Sequence, residues 1–167
     1  MKRLLAIFSF VCILSGCILE KNEGTDINTG DVLPDFEVVM NDGSVVTDDH
    51  LKGSVSAVMF FHTSCPDCQQ TLPRMQTIYD EYTPKGVKIA LISRDEGEYD
   101  IMSYWSENGL NMPFSAQNDR EVYELFATSR IPRIYISDEN GIVRYIYTDD
   151  PTPSYNELKS SFESLIR

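Results

Sequence analysis

The apolar residues of this chain fall into short runs whose spacing alternates between strand-like and helix-like. Phe36 to Met40 is a short strand, Asn41-Asp42-Gly43-Ser44 is a turn signal, and a return strand from Ser44 to Thr47 completes a hairpin. Asp48 to Lys52 is polar, is followed by Gly53, and fits a single helical turn. Val55 to Phe61 is apolar without alternation, the pattern of a strand buried on both faces. From Cys65 to Tyr82, the residues Leu72, Met75, Ile78, Tyr79 and Tyr82 recur at helical spacing. Pro73 predicts a kink inside that helix, and Pro84-Lys85-Gly86 ends it. Val87 to Ser93 is a second buried strand. Tyr99 to Glu107 carries Ile101, Met102, Tyr104 and Trp105 as a core-facing helical stripe, stopped by Asn108-Gly109.

Asn118-Asp119 predicts the cap of a short helix reaching Phe126, with Val122, Leu125 and Phe126 inward. Arg133–Ser137 and Ile142–Thr148 flank the tight turn Asp138-Glu139-Asn140-Gly141 as an antiparallel pair. Ser154-Tyr155-Asn156-Glu157 is a capping box, and Tyr155, Leu158, Phe162, Leu165 and Ile166 line one face of a closing helix. This order predicts an α/β fold: a mixed central sheet, helices on both faces, and a right-handed parallel first crossover.

The N-terminus has a different pattern. Lys2 and Arg3 precede an apolar run, Leu4 to Leu14, interrupted only by Ser9. The run is short for a bilayer span and suits the apolar region of a signal peptide. Leu14-Ser15-Gly16-Cys17 follows directly and resembles a bacterial lipobox, in which cleavage falls before the cysteine and its sulfur is acylated. Residues 1–16 are therefore expected to be a lipoprotein signal peptide. Residues 17–30 are expected to be a flexible tether behind lipidated Cys17, and residues 31–167 the folded domain. An ordinary signal peptide cut near Gly16, or an uncleaved anchor, is the competing reading. A lipid anchor puts the domain in the bacterial cell envelope outside the cytoplasm, where disulfide chemistry operates.

The charge narrows the partners. The chain of 167 residues has a net charge of −12, and loss of Lys2 and Arg3 with the leader takes it to −14. Nucleic acid is excluded as a partner on this ground. Of four cysteines, Cys12 goes with the leader and Cys17 carries the lipid, which leaves Cys65 and Cys68 in the body. That is neither a disulfide framework nor a four-cysteine zinc site, and no cofactor or metal is expected.

Cys65-Pro66-Asp67-Cys68 lies where the buried strand hands over to a helix. A Cys-x-x-Cys at such a junction is a redox motif. The helix N-terminus offers free N–H groups and partial positive charge to the first sulfur, which favours thiolate and makes Cys65 the nucleophile. His62 is a candidate for proton transfer because imidazole titrates near neutrality. Asp67, beside Cys68, disfavours thiolate, leans the pair toward the disulfide, and is a second candidate proton acceptor.

These features together resemble the thioredoxin superfamily. The shared marks are the Cys-x-x-Cys after a central strand, Ile131-Pro132 before a strand–turn–strand hairpin, and the terminal helix. Val32-Leu33-Pro34-Asp35-Phe36, Pro73, and the extra helical segment before Ile131 narrow it to the TlpA/ResA-like branch, also called redoxin or AhpC/TSA-related. The match covers about residues 30–167. It implies a thioredoxin-like three-layer α/β/α sandwich with an N-terminal β-hairpin. It implies Cys65 as the attacking and Cys68 as the resolving thiol, and a cis Ile131–Pro132 bond beside the sulfurs. Ile131, Pro132, Pro66 and Asp67 would wall a site for an extended partner segment. The implied activity is thiol–disulfide exchange with disulfide- or dithiol-bearing proteins, leaning toward reduction and recharged by an upstream membrane electron donor. Cytochrome c biogenesis is one setting; other envelope disulfides and stress repair remain open. The chain departs from the family where carboxylates are usual: Met59 replaces a buried acid, and Thr71 replaces a glutamate three residues after the second cysteine. Ser64 stands where tryptophan is common.

Two other function classes fit these residues less well. A thiol peroxidase needs proline and threonine or serine where this chain has Val58 and His62. A copper- or zinc-handling protein would draw on Cys65, Cys68 and His62, but its usual cysteine spacing is wider and His50 lies in the polar turn.

Overall fold

The fold is built around β3, Ser56–Phe61, in which every residue is buried. In the computed structural model, which describes residues 26–166, β3 is the middle strand of a five-stranded sheet. β4 (Lys88–Ser93) runs parallel on one side, and β6 (Arg133–Ser137) runs antiparallel on the other. Beyond β6 lies β7 (Val143–Tyr147), and the opposite edge is β5, only Phe114–Ser115, parallel to β4. The order β5-β4-β3-β6-β7 is the expected mixed sheet. The hairpin of β1 (Glu37–Val39) and β2 (Val45–Thr47) forms its own two-stranded sheet. It covers the β5 edge: the Asn41 N–H donates to the Phe114 carbonyl at 2.7 Å, and Ser115 Oγ donates to the Val39 carbonyl at 2.7 Å. An edge strand that would otherwise offer open backbone groups is thereby closed. After the hairpin comes α1 (Asp48–Leu51), capped by Thr47 Oγ1, which accepts the His50 N–H at 3.1 Å.

Two helices share one face. α2 (Pro66–Tyr82) joins β3 to β4, and α3 (Glu98–Asn108) joins β4 to β5. Both crossovers step the same way along the sheet, so the right-handed rule puts both on the same side. α5 (Tyr155–Leu165) packs on α2 through stacked Tyr82 and Phe162 rings 5.5 Å apart, and its Ser154–Glu157 capping box is formed. Consecutive strand residues point to opposite faces. Phe61 meets Trp105 of α3 at 5.1 Å. Phe60 meets Tyr123 of α4 (Glu121–Glu124) at 5.3 Å and Phe126 at 4.9 Å. Each face of β3 thus has its own aromatic cluster and its own helical cover.

The structure changes several expectations. β5 was not foreseen: two residues after Pro113 carry too little pattern to read. Pro73 lies inside α2, which is assigned as one helix from Pro66 to Tyr82 as the periodicity predicted. In the α3 stripe, Ile101 and Trp105 are buried, but Met102 is 54% exposed. At about 100° per residue, two positions four apart align inward and their neighbour is turned away. In the α4 region Tyr123 and Phe126 face inward while Leu125 is 40% exposed. The end of the proposed tether is packed: the Ile27 N–H donates to the Phe126 carbonyl at 3.0 Å, and Asp26 pairs with Arg133. The signal peptide 1–16, Cys17 and the tether up to residue 25 lie outside the described residues. Among the described residues no helix is long and apolar enough to cross a membrane.

Candidate active site

The site lies at the end of the sheet where β3 and β4 finish and β6 begins. Cys65 is the N-cap of α2, with extended backbone (φ −82°, ψ 119°), and Pro66 takes the first helical position, where a missing N–H costs nothing. This presents Cys65 half-buried at the rim, while Cys68, on the first turn, is fully buried. The Cys65 thiol points at the Ile131 carbonyl, Sγ to O 3.5 Å. The Ile131–Pro132 bond is cis, as the resemblance implied, and both residues are buried. Arg130, just before them, holds φ at +71°, a left-handed conformation rare for a residue with a side chain. Its carbonyl accepts the Tyr123 hydroxyl at 2.7 Å. The wall opposite the thiols is therefore fixed from the α4 side.

Burial pushes the Cys68 thiol well above its ordinary range. The backbone N–H of His62 pulls the other way, and the charges of Cys65 and Asp67 push it further up. Cys68 keeps its proton until a base takes it. Neither Met59 nor Thr71 offers one. Met59 is fully buried in β3, in register with Leu91 and Ile134. Thr71 is buried and donates its hydroxyl to the Asp67 carbonyl at 2.7 Å. Asp67 is half-buried beside Cys68, with its charge acting on that thiol.

One functional residue escaped the sequence reading. Glu96, in the loop after β4, sends a buried carboxylate to the turn before Cys65. Its Oε2 accepts the Thr63 N–H at 2.8 Å, and its Oε1 accepts the Thr63 hydroxyl. Gln69 of α2 completes the hold by donating to the Thr63 carbonyl at 2.8 Å. The signal for Glu96 was positional: ligand-handling groups gather just past the carboxyl ends of parallel strands, and Arg94-Asp95-Glu96 follows β4 directly. His62 has its Nδ1 beside Ser64 and Glu96. His50 sits on α1 with its Nδ1 3.0 Å from the Val45 carbonyl. Among the described residues no three of histidine, cysteine, aspartate and glutamate are grouped to hold a metal.

Known proteins fit this geometry. The family model described as AhpC/TSA matches residues 29–146. The thiol-disulfide oxidoreductase ResA of Oceanobacillus iheyensis is 30% identical over 130 residues, covering 75% of this chain and 68% of that protein. The protein of the same name from Bacillus subtilis is 25% identical over 128 residues, 77% of this chain and 72% of its own length. Among solved structures, the thioredoxin domain of a thiol-disulfide oxidoreductase from Bacteroides vulgatus superposes with a TM-score of 0.72 at 22% identity, covering 85% of this chain and all (100%) of that one. A secreted disulfide oxidoreductase of Mycobacterium tuberculosis superposes at 0.69 and 17% identity, over 78% of this chain and 96% of its own. At those identities the structures speak for the thioredoxin-like fold, and the sequence relatives for the chemistry. The family match runs from ahead of β1 into β7, across both thiols and the Ile131–Pro132 wall, and the chain belongs to the AhpC/TSA family as a thioredoxin-like thiol-disulfide oxidoreductase.

Proposed function

We propose that this enzyme is a lipid-anchored protein of the bacterial cell envelope that reduces disulfides in partner proteins outside the cytoplasm. The observation that carries the reading is the unequal pair: Cys65 at the rim facing the Ile131 carbonyl, and Cys68 buried with its proton held tightly. The Cys65 thiolate attacks one sulfur of a partner disulfide, forming a mixed disulfide and releasing the partner's other sulfur as a thiolate. Cys68 then loses its proton and attacks Cys65 Sγ. The Cys65–Cys68 disulfide forms, the mixed disulfide breaks, and the partner leaves with both sulfurs reduced. An upstream membrane donor of two electrons and two protons restores the dithiol.

The extended partner segment lies along Ile131 and Pro132, with Pro66 and Asp67 at the rim. Asp67 is the proposed proton acceptor for Cys68, and His62 the second group able to move a proton there. The Asp67 charge beside the thiols disfavours thiolate and so leans the pair toward the disulfide, which supports the reducing direction. Cys17 carries the anchor. Apocytochrome thiols are one partner class that fits.

A Cys68→Ser variant is expected to trap the mixed disulfide with envelope partners, and Cys65→Ser to trap none. The reduction potential measured against glutathione is expected near that of thioredoxin, about −270 mV; a value near −120 mV would reverse the assigned direction. Asp67→Asn is expected to change the thiol titrations and the exchange rate, and unchanged values remove Asp67 from the relay. Mass analysis of the mature N-terminus tests the acylation of Cys17.

A further inference from the structure

The turn carrying the attacking thiol is held by a group that exchange chemistry does not itself require. The Glu96 side chain is 4% exposed and that of His62 25%, with Glu96 Oε1 3.5 Å from His62 Nδ1. The same Nδ1 accepts the Ser64 N–H at 3.2 Å and lies 3.0 Å from Ser64 Oγ. A ring nitrogen that accepts a backbone N–H carries no proton, so the neutral imidazole keeps its hydrogen on Nε2. A proton arriving at Nδ1 inverts its role. It becomes a donor, the Ser64 N–H loses its acceptor, and Glu96 Oε1 and Ser64 Oγ are the oxygens within reach. The turn that links these residues is closed by the Cys65 N–H donating to the His62 carbonyl at 3.0 Å.

We propose that Glu96 is a positioning residue of the exchange reaction and that His62 is the proton-driven switch it serves, giving the Ser64–Cys65 turn two hydrogen-bonded arrangements. This rests on Cys65 being the attacking thiol. With His62 neutral, Nδ1 anchors the Ser64 backbone. With His62 protonated, the imidazolium pairs with Glu96 and places positive charge at the turn before Cys65, favouring its thiolate as the solution turns acid.

The ionisable groups gathered here come from each neighbouring element. The β4–α3 loop gives Glu96 and the adjoining Arg94–Asp95 ion pair, Nε to Oδ1 2.9 Å. The start of α2 gives Cys65, Asp67 and Cys68. α3 gives Tyr104, whose hydroxyl is raised first by burial and then by the charge of Cys68. Thr63 holds Glu96 in place for both arrangements, because its N–H and hydroxyl occupy the carboxylate whichever state His62 is in.

The test uses the full chain, reduced, reacting with a chromogenic aromatic disulfide from about pH 5 to 9, the range across which an imidazole titrates. Wild-type exchange is expected to fall less steeply toward acid than thiolate ionisation alone dictates. His62→Asn keeps an amide oxygen for the Ser64 N–H but cannot take up a proton. It is expected to lose about fivefold at the acid end, the factor one ordinary hydrogen bond carries. Glu96→Gln keeps an acceptor for Thr63 without the charge and is expected to weaken the same component. In the wild type, ¹⁵N NMR is expected to show His62 Nδ1 gaining a proton in step with a shift of the Ser64 amide resonance, which reads the switch without any variant. Identical pH profiles in all three proteins, or a Ser64 amide indifferent to the His62 titration, overturns the proposal. Cys65→Ser separates the two readings: exchange surviving it removes Cys65 as the nucleophile. Exchange lost in Cys65→Ser but with unaltered profiles in the other two variants removes only the switch.

Discussion

Two loops face each other across Cys65, and they are held by different physics. The turn His62–Ser64 is fixed by side chains: Glu96 and Gln69 between them take the N–H, hydroxyl and carbonyl of Thr63. The wall Arg130–Pro132 is fixed by backbone shape: a left-handed Arg130, a cis proline, and a single tyrosine hydroxyl on the Arg130 carbonyl. The first loop contains a buried carboxylate and a neighbouring histidine, Glu96 Oε1 to His62 Nδ1 3.5 Å. The second presents one carbonyl to the thiol and is built to keep its place. Cys65 thus sits between a turn held by side chains and a wall held by its backbone.

The comparison breaks most readily at Thr63. Thr63→Val keeps the shape and the N–H bond to Glu96 but removes the hydroxyl that donates to a buried carboxylate. Hydrogen bonds to charged groups contribute about 1.5–3 kcal/mol, so a loss of about 2 kcal/mol is expected in urea unfolding. A loss below about 0.5 kcal/mol, ordinary for an exposed surface change, would mean that the turn is not held through Glu96.

Next in size is an alkaline effect at Cys68. Its thiol is held above the ordinary value of 9.0 in the folded protein, so the native state keeps a proton that the unfolded chain gives up. The stability this gives is complete below about pH 9 and is lost as pH rises toward the folded value. One group contributes at most about 1.4 kcal/mol per pH unit. Reduced wild type is therefore expected to lose about 1 kcal/mol more than Cys68→Ala between about pH 8.5 and 10. Tyr135 is also raised, chiefly by burial, and adds the same slope to both proteins, so the difference between them isolates Cys68.

Much of this architecture was legible in the chain. β3 and the middle of β4 are apolar runs, α2 and α5 are periodic stripes, α5 with a capping box, and the thiols form a Cys-x-x-Cys at a strand–helix junction. Each of those signals is local, set by residues within one element. Glu96 was not legible because its importance is made by the partner it meets, 33 positions away in sequence at Thr63. β5 was missed for a related reason: two residues become a strand only because β4 and the hairpin supply bonds on either side. Met102 and Leu125 were misplaced because an apolar residue beside a stripe differs from one within it only by about 100° of rotation, which short helices do not resolve. Met59 and Thr71 are departures from the resemblance, and the structure shows what each side chain does instead. The first fills the sheet core, and the second spends its hydroxyl inside α2.

On the fixed side, Tyr123→Phe tests the side-chain bond to the Arg130 carbonyl. The ring stays packed on Phe60, and only the hydroxyl bond to the Arg130 carbonyl is lost. A neutral hydrogen bond contributes about 1 kcal/mol, so the expected loss is half that of Thr63→Val. An equal or larger loss would show that the wall depends on polar anchoring as much as the turn does, and the contrast between the loops would fall.

The smallest effect sharpens the contrast most, because its sign is unusual. Arg130 adopts a left-handed backbone that costs a residue with a Cβ about 1–2 kcal/mol and costs glycine almost nothing. Arg130→Gly removes that cost. It also removes an ion pair to Asp149, Nη1 to Oδ1 3.2 Å, between half-exposed side chains, worth at most about 1 kcal/mol. Glycine's greater freedom in the unfolded chain takes back part of the gain, roughly 0.5–1 kcal/mol. The balance is expected within about 0.5 kcal/mol of zero and on the stabilising side at high salt, where the ion pair is screened. A loss of about 2 kcal/mol would instead assign Arg130 a bonding role in the wall, since only a satisfied buried group gives that much when removed. Thiol exchange in this variant reports the other half: with the backbone shape kept by glycine, the Ile131 carbonyl stays opposite Cys65 and the rate toward a small disulfide is expected to hold.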